Sequence, residues 1–395
     1  MAPTIDAKPR AAEPYLTAAF VSLFVQNLLA FSGFNAYNVI PDYLASMGAS
    51  KTYIGLFVNL PALALVALVV PLSRYADAIG RKRLVMAGYA MVLATSAASF
   101  AFADDFVALL LLRALGTLFF CVVFTIQTTE AFGLIPRARR VSGMAIYGIS
   151  GLLSNPLAAF LSERLSAGPG GRWIFLAAFG FHAAGLILAL GYRFHEPGKS
   201  AAPIRMLGLL RRKSLSPLFA LTFMLGGAWA VLSTFLANLS RERLGEVNVS
   251  LCFVSFSAVA VLIRATLGPA IERRSARLLI ALCYALVAAS FLMAFGLNSA
   301  VILVPIGLLY GAGHSVLFPL LATLFVNAGN DAERLSLNNL FSATNTLGSI
   351  VTAVVMGAAA DMFGVGAIFL AMTFLCAAMV PIGWFGLRLT YPRNA

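Results

Sequence analysis

Charge is scarce in this chain. Only 11% of its 395 residues are Asp, Glu, Lys or Arg, while 61% are hydrophobic. A soluble domain carries about 25% charged and about 45–50% apolar residues. There is too little polar surface to cover a core in water, so lipid must solvate most of the chain. The same numbers exclude disorder, a collagen-like or coiled-coil rod, and a secreted disulfide scaffold. Cysteine is also sparse. Cys121, Cys252, Cys283 and Cys376 stand far apart inside apolar runs with no CxxC pair. They read as small core residues, and no metal site is expected.

Histidine occurs three times, as His182, His195 and His314, and neither HExxH nor GxSxG is present. No reaction centre is expected and no catalytic residue is assigned. Gly198-Lys199-Ser200 looks like the end of a phosphate-binding loop. However, Arg193 stands where the first glycine belongs, and an apolar run precedes it where a strand should be. Neither ATP nor another cofactor is therefore expected. Acids are missing from the middle of every apolar run: Asp42 and Asp361 fall at outer ends and Glu130 at an inner end.

Long apolar runs are what the chain does have. A span needs roughly 20 apolar residues. Hydropathy predicts twelve helices, at about 15–40, 52–72, 83–102, 106–130, 141–162, 173–193, 217–240, 250–268, 278–297, 300–328, 335–360 and 364–388. The fold class is all-α integral membrane. Residues 1–14 are polar and show no cleavage-site pattern, and the run after them is too long for a signal-peptide core.

The net charge of +13 follows topology. With the N-terminus inside, 21 Lys and Arg fall in inner segments and 5 in outer loops, leaving Arg113 and Arg264 within spans. This positive-inside bias predicts a multi-pass inner-membrane protein with both termini cytoplasmic. The basic surface faces lipid headgroups, and no nucleic-acid partner is expected.

A polar stretch with Pro197, Gly198 and Pro203 divides six spans from six. The expected units are a tail at 1–14, a bundle at 15–193, a linker at 194–216, a bundle at 217–388 and a tail at 389–395. The loop Ser73-Arg-Tyr-Ala-Asp77-Ala-Ile-Gly80-Arg81-Lys82 has a counterpart in Gly268-Pro-Ala-Ile-Glu272-Arg273-Arg274-Ser275-Ala-Arg277. The acids coincide at an offset of 195 residues, the pattern of a duplicated membrane fold.

Three further elements accompany that loop. They are Leu112-Arg113-Ala114-Leu115-Gly116, then Gly148, Gly151 and Asn155-Pro156, and the outer loop from Ile40-Pro41-Asp42 to Gly48. With them the chain resembles the major facilitator superfamily over essentially its whole length, with a likeness to its drug and metabolite exporters. Ser73, Ala78 and Asn155 depart from the family pattern. The resemblance implies twelve transmembrane helices in two pseudo-symmetric six-helix bundles, with the first, fourth, seventh and tenth helices lining one cavity. It implies a monomer that moves a small-molecule substrate by alternating access, as an exporter coupled to protons. An uptake permease or facilitator for an anionic or zwitterionic metabolite stays open, as does a transport-incompetent sensor or scaffold. By the same resemblance Asp77, Gly80, Arg81, Lys82 and Glu130, with Glu272 and Arg273 in the second half, form a cytoplasmic gating latch.

The polar residues within spans carry the remaining expectations. Arg113 lies seven residues into its span, roughly 10 Å from the outer end, and must face the bundle interior. It reads as an anion-binding or proton-sensing group, or as a structural arginine; Arg264 and His182 read as structural. His314, just after Gly311 and Gly313, reads as substrate-binding, proton-carrying or a packing residue. Asn27, Asn35 and Asn38 share one face of the first span, and Gln26 adds a further amide. Trp229, Tyr310 and Asn345 are candidates for the opposite wall.

Overall fold

The computed structural model describes residues 16–59, 79–136, 140–167, 170–194, 212, 215–266, 274–329 and 333–387. Asp77, Glu272, Arg273, the side chain of Arg264, and nearly all of the linker lie outside them. The described helices are α1 (Ala18–Asn35), α2 (Lys51–Asn59), α3 (Arg81–Ala101), α4 (Phe106–Leu134), α5 (Arg140–Ala167) and α6 (Trp173–Gly191). They continue as α7 (Ser216–Leu244), α8 (Val249–Thr266), α9 (Ala276–Phe295), α10 (Leu303–Asn327), α11 (Arg334–Phe363) and α12 (Val365–Pro381). Each of the twelve expected spans thus has a helix among the described residues, the second, expected at 52–72, only as far as Asn59. Nine, counted with their short extensions, are long and apolar enough to cross a membrane among the described residues.

The first span differs in detail from its expectation. A 3-10 turn at Ala36–Asn38 follows α1, and a short helix, Ile40–Ser46, takes the place of the expected outer loop. Pro41 has no N–H to give to the preceding turn, so the α-helical ladder breaks there and restarts with proline in its first turn.

Local chemistry sets the other ends. The Asp105 carboxylate accepts from the backbone N–H groups of Val107 and Ala108 at 2.9 and 3.0 Å, starting α4. Ser275 does the same for α9 through the N–H of Leu278. Gly245 ends α7 at φ +77°, a conformation that a Cβ would disfavour.

Within the first half, α1 packs on α4, α5 and α6, and α3 on α4 and α6. Within the second, α7 packs on α10, α11 and α12, and α9 on α10 and α12. Adding six to each helix number converts the first set into the second. Between the halves α2 meets α11 and α5 meets α8, and the same operation exchanges these two contacts. The architecture is therefore two six-helix bundles related by a pseudo-twofold.

Candidate functional site

On α4 the lipid-facing positions Val107, Leu111 and Leu115 alternate with the buried positions Leu109, Arg113 and Thr117. Four-residue steps keep each set on its own face. Arg113 thus points into the first bundle. Its guanidinium lies 4.5 Å over the Phe34 ring and 4.0 Å over that of Tyr37. His182 of α6 lines the same small space and packs on Gly33, where a Cβ would come within 2.3 Å of the imidazole. The structure brings Arg113 and His182 together but places neither beside His314.

His314 belongs to the second bundle. Tyr310, His314 and Phe318 are spaced by four on α10 and so share a stripe. The His314 ring stacks on Tyr310 at 5.5 Å and lies 5.5 Å from Trp229 of α7. Phe256 of α8 closes the set at 5.5 Å from Trp229. Exposure rises along the stripe from buried Tyr310 through half-buried His314 to exposed Phe318. The glycines beside His314 serve helix crossings: a Cβ at Gly311 would lie 2.7 Å from the Phe256 carbonyl, and one at Gly313 would lie 2.6 Å from that of Cys283.

An equivalent aromatic group, absent from the sequence expectations, stands in the first bundle. Phe34 of α1 stacks on Phe120 of α4 at 4.5 Å, and Phe31 meets Phe120 and Phe124 edge-on. Phe34 and Trp229 are themselves 195 residues apart, the offset of the repeated loop.

The amides of α1 hold helices together. Asn27 donates to Ser150 Oγ at 2.6 Å and Asn35 to Ser154 Oγ at 2.7 Å, with Asn38 near Asn155. All three bond to α5, as their shared face requires. Gln26 accepts from Gln127 of α4, which also donates to the Tyr89 hydroxyl of α3. Asn345 lies at the α7–α11 crossing, where its backbone carbonyl closes on Gly226.

Of the latch residues, Gly80 takes φ +92° just before α3, a value suited to glycine. Arg81 pairs with buried Glu130 at 2.5 Å, tying α3 to α4, and Lys82 donates to the Leu190 carbonyl of α6. Both contacts stay inside the first bundle. At the same end Arg212 of the linker pairs with Glu333, just before α11 of the second bundle.

The opposite end joins the bundles. The Asp361 carboxylate at the end of α11 accepts from the backbone N–H groups of Lys51 and Thr52 at 2.6 and 2.9 Å, and from the Thr52 hydroxyl at 2.6 Å. Glu163 near the end of α5 accepts from the Ser250 N–H at 2.7 Å and from its hydroxyl. Each carboxylate caps the first turn of a helix in the other bundle, where the helix dipole favours negative charge. Between these two caps Asp42 pairs with Arg241 at 3.0 Å, and Asn238 donates to the Pro41 carbonyl. Deeper, Asn59 of α2 donates to the Thr234 hydroxyl of α7 at 3.0 Å, and Ser257 of α8 to the Leu152 carbonyl of α5. A 360 Å³ vestibule lined by Asp42, Lys51, Asn238, Arg241 and Glu242 lies at this end.

Among the described residues, no group of three His, Cys, Asp or Glu side chains is placed to hold a metal ion.

A family model described as Major Facilitator Superfamily matches residues 22–246 and 218–395. No curated protein sequence matches the chain. Among solved structures, the chain is similar to a mutant form of the nucleoside transporter NupG. Identity is 14%, 94% of this chain and 100% of that one are covered, and the TM-score is 0.81. It is similar to a bacterial homolog of the human lysosomal transporter Spinster, inward-facing and unoccupied, at 13% identity, 97% and 99% coverage, and a TM-score of 0.72. It is also similar to the human organic anion transporter MFSD10 at 17% identity, 92% and 98% coverage, and a TM-score of 0.63. At such identities the likeness is one of fold.

Proposed function

Because the chain belongs to the Major Facilitator Superfamily, a family of multi-pass membrane transporters, we propose that it carries a small, flat organic solute by alternating access. The observation that carries this reading is the graded aromatic wall of Trp229, Tyr310, His314 and Phe318, with a matching group around Phe34 and Phe120. Aromatic faces bind planar ring systems by stacking, and His314 adds a hydrogen-bonding edge.

The positive-inside bias assigns the sealed, trans-capped end to the outside. In this reading, transport requires the trans-capped end to part while the cytoplasmic end closes, with Asp77, Glu272 and Arg273 in the latch. Export coupled to protons is the direction that the exporter-like motifs support. Asp42, Glu130 and His314 are the groups available to carry the proton.

A facilitator without ion coupling is the second reading. One observation favours it: Asp42 and Glu130 sit at opposite helix ends, and each is held in an ion pair. Net uptake into proteoliposomes with and without an imposed pH gradient separates the two, because only the coupled carrier concentrates solute in response to the gradient.

The test of the main reading uses Trp229 fluorescence in a Trp173→Phe/Trp384→Phe background, titrated with planar heteroaromatic solutes. Saturable quenching by a solute whose flux is lost in Trp229→Ala and His314→Ala is expected. Undiminished flux in both variants would overturn the assigned wall. Absence of flux for every solute that binds would favour a sensor.

A further inference from the structure

Arg113 is a buried cation that meets no counter-charge among the described residues. Its residue exposure is 6%, and its Nε donates to nothing. Its named contacts are the rings of Phe34 and Tyr37. The ion pairs described in this protein do not include it. A guanidinium stays protonated in proteins and carries five N–H donors. Two ring faces offset part of the desolvation of such a charge, but they accept none of those donors in the way an anion does.

The space that Arg113 lines has a definite size. It lies between α1, α3, α4 and α6 and amounts to about 10 Å³, room for the centre of one water-sized particle. Thr95 and Ser96 of α3 and His182 of α6 face it along with Phe34 and Tyr37. Gly116 keeps it open from the α4 side, because a Cβ there would come within 2.8 Å of Thr95 Oγ1. An organic solute needs hundreds of cubic ångströms and does not fit. A water molecule fits by size but leaves the charge unbalanced. A monatomic anion meets both conditions.

We propose that this cavity is a halide-sized anion site, with Arg113 as its cationic pole and Ser96 in its neutral lining; the Thr95 hydroxyl, which donates to the Val92 carbonyl at 3.0 Å, only bounds it. The anion acts as a structural counter-ion to the first bundle, on which the α1, α3, α4 and α6 contacts converge. The proposal does not rest on the carrier reading, since its test needs no transported solute.

The experiment is thermal unfolding of the full-length protein in detergent at matched ionic strength, in sodium chloride, bromide, gluconate and acetate. Chloride and bromide are expected to raise Tm by about 2 °C for each tenfold increase in halide, the linkage of a single site. Gluconate and acetate, too large for the cavity, are expected to leave Tm unchanged. Arg113→Gln should abolish the halide response. Ser96→Ala, a smaller change that serves if Arg113→Gln does not fold, should shift the halide titration to several-fold higher concentration. Equal Tm in chloride and gluconate would overturn the proposal, as would stabilisation by acetate alone. A halide response that persists in Arg113→Gln, or is unmoved in Ser96→Ala, would do the same.

Discussion

Pro156 and Ser257 sit on different bundles yet complete one backbone account between them. A helical residue at 156 normally donates its N–H to the carbonyl of residue 152, and proline has none to give. The Leu152 carbonyl instead accepts from the Ser257 hydroxyl of α8 at 2.7 Å. The α5–α8 seam thus includes a bond that α5 alone leaves open, where no bulk water can substitute.

Ser257→Ala should therefore destabilise the described conformation. A buried carbonyl left unpaired costs about 1–3 kcal/mol, which corresponds to a Tm lowered by about 2–6 °C. Ser257→Thr, which keeps the hydroxyl, should restore most of the loss. A scan showing equal Tm for Ser257→Ala and the unaltered protein would remove the cross-bundle bond from the account.

The two trans caps give a second prediction. Glu163 and Asp361 are 198 residues apart, and so are the Thr52 and Ser250 groups that they cap. One duplicated device thus holds both edges of the sealed end. Losing an N-cap costs about 0.5–2 kcal/mol, so Glu163→Ala or Asp361→Ala should raise the population open at this end about fivefold. The double variant should show roughly the product of the two effects. The readout is labelling of Thr234→Cys by a membrane-impermeant maleimide. The background is quiet because all four native cysteines are buried. An unchanged labelling rate in the double variant would mean that the caps do not hold this end.

How much of this was legible in the sequence depends on what each feature rests on. The twelve helices rest on hydropathy and needed no contacts. The shared face of Asn27, Asn35 and Asn38 rests on helical spacing, and all three do meet one partner helix. That Arg113 faces the bundle interior rests on the cost of a charge in lipid, and it is buried there. That Phe34, Tyr37 and His182 surround it rests on how α1 and α6 pack, which an apolar run does not display. The trans caps were missed because a carboxylate at a helix end reads as a solvated charge until its partner is known. A signal was nonetheless present: the loop repeat runs at 195 residues, and a second offset of 198 aligns Glu163 with Asp361 and Thr52 with Ser250.

A third prediction concerns unequal partners. In the Asp42–Arg241 pair the carboxylate side chain is 9% exposed and the guanidinium 48%. Asp42→Asn leaves an arginine that returns to water, so its cost should stay within about 1 kcal/mol, as for exposed pairs. Arg241→Gln leaves a buried carboxylate without its cation and should cost about 1–3 kcal/mol. The double variant should recover toward Asp42→Asn. Chemical denaturation of the three variants checks the order, and equal losses in the two single variants would contradict it.

The last prediction separates glycines by what surrounds them. On the α7–α11 crossing, a Cβ at Gly226 would stand 1.9 Å from the Asn345 carbonyl oxygen, and one at Gly348 would stand 2.0 Å from that of Phe223. Both obstacles are backbone atoms of a facing helix, so relief requires the two helices to move apart. Overpacking of this kind costs about 1–3 kcal/mol or more. Gly226→Ala and Gly348→Ala should each lower Tm and loosen the second bundle. Gly151 on α5, part of the exporter-like motif, differs: a Cβ there meets nothing within 4 Å. Gly151→Ala should therefore leave stability unchanged or raise it by up to about 1 kcal/mol through helix propensity. If Gly151→Ala is stable but stops flux, the glycine is needed where α5 packs differently, in the conformation open to the other side. If it is stable and active, the motif residue is dispensable here, and the exporter assignment loses one of its supports.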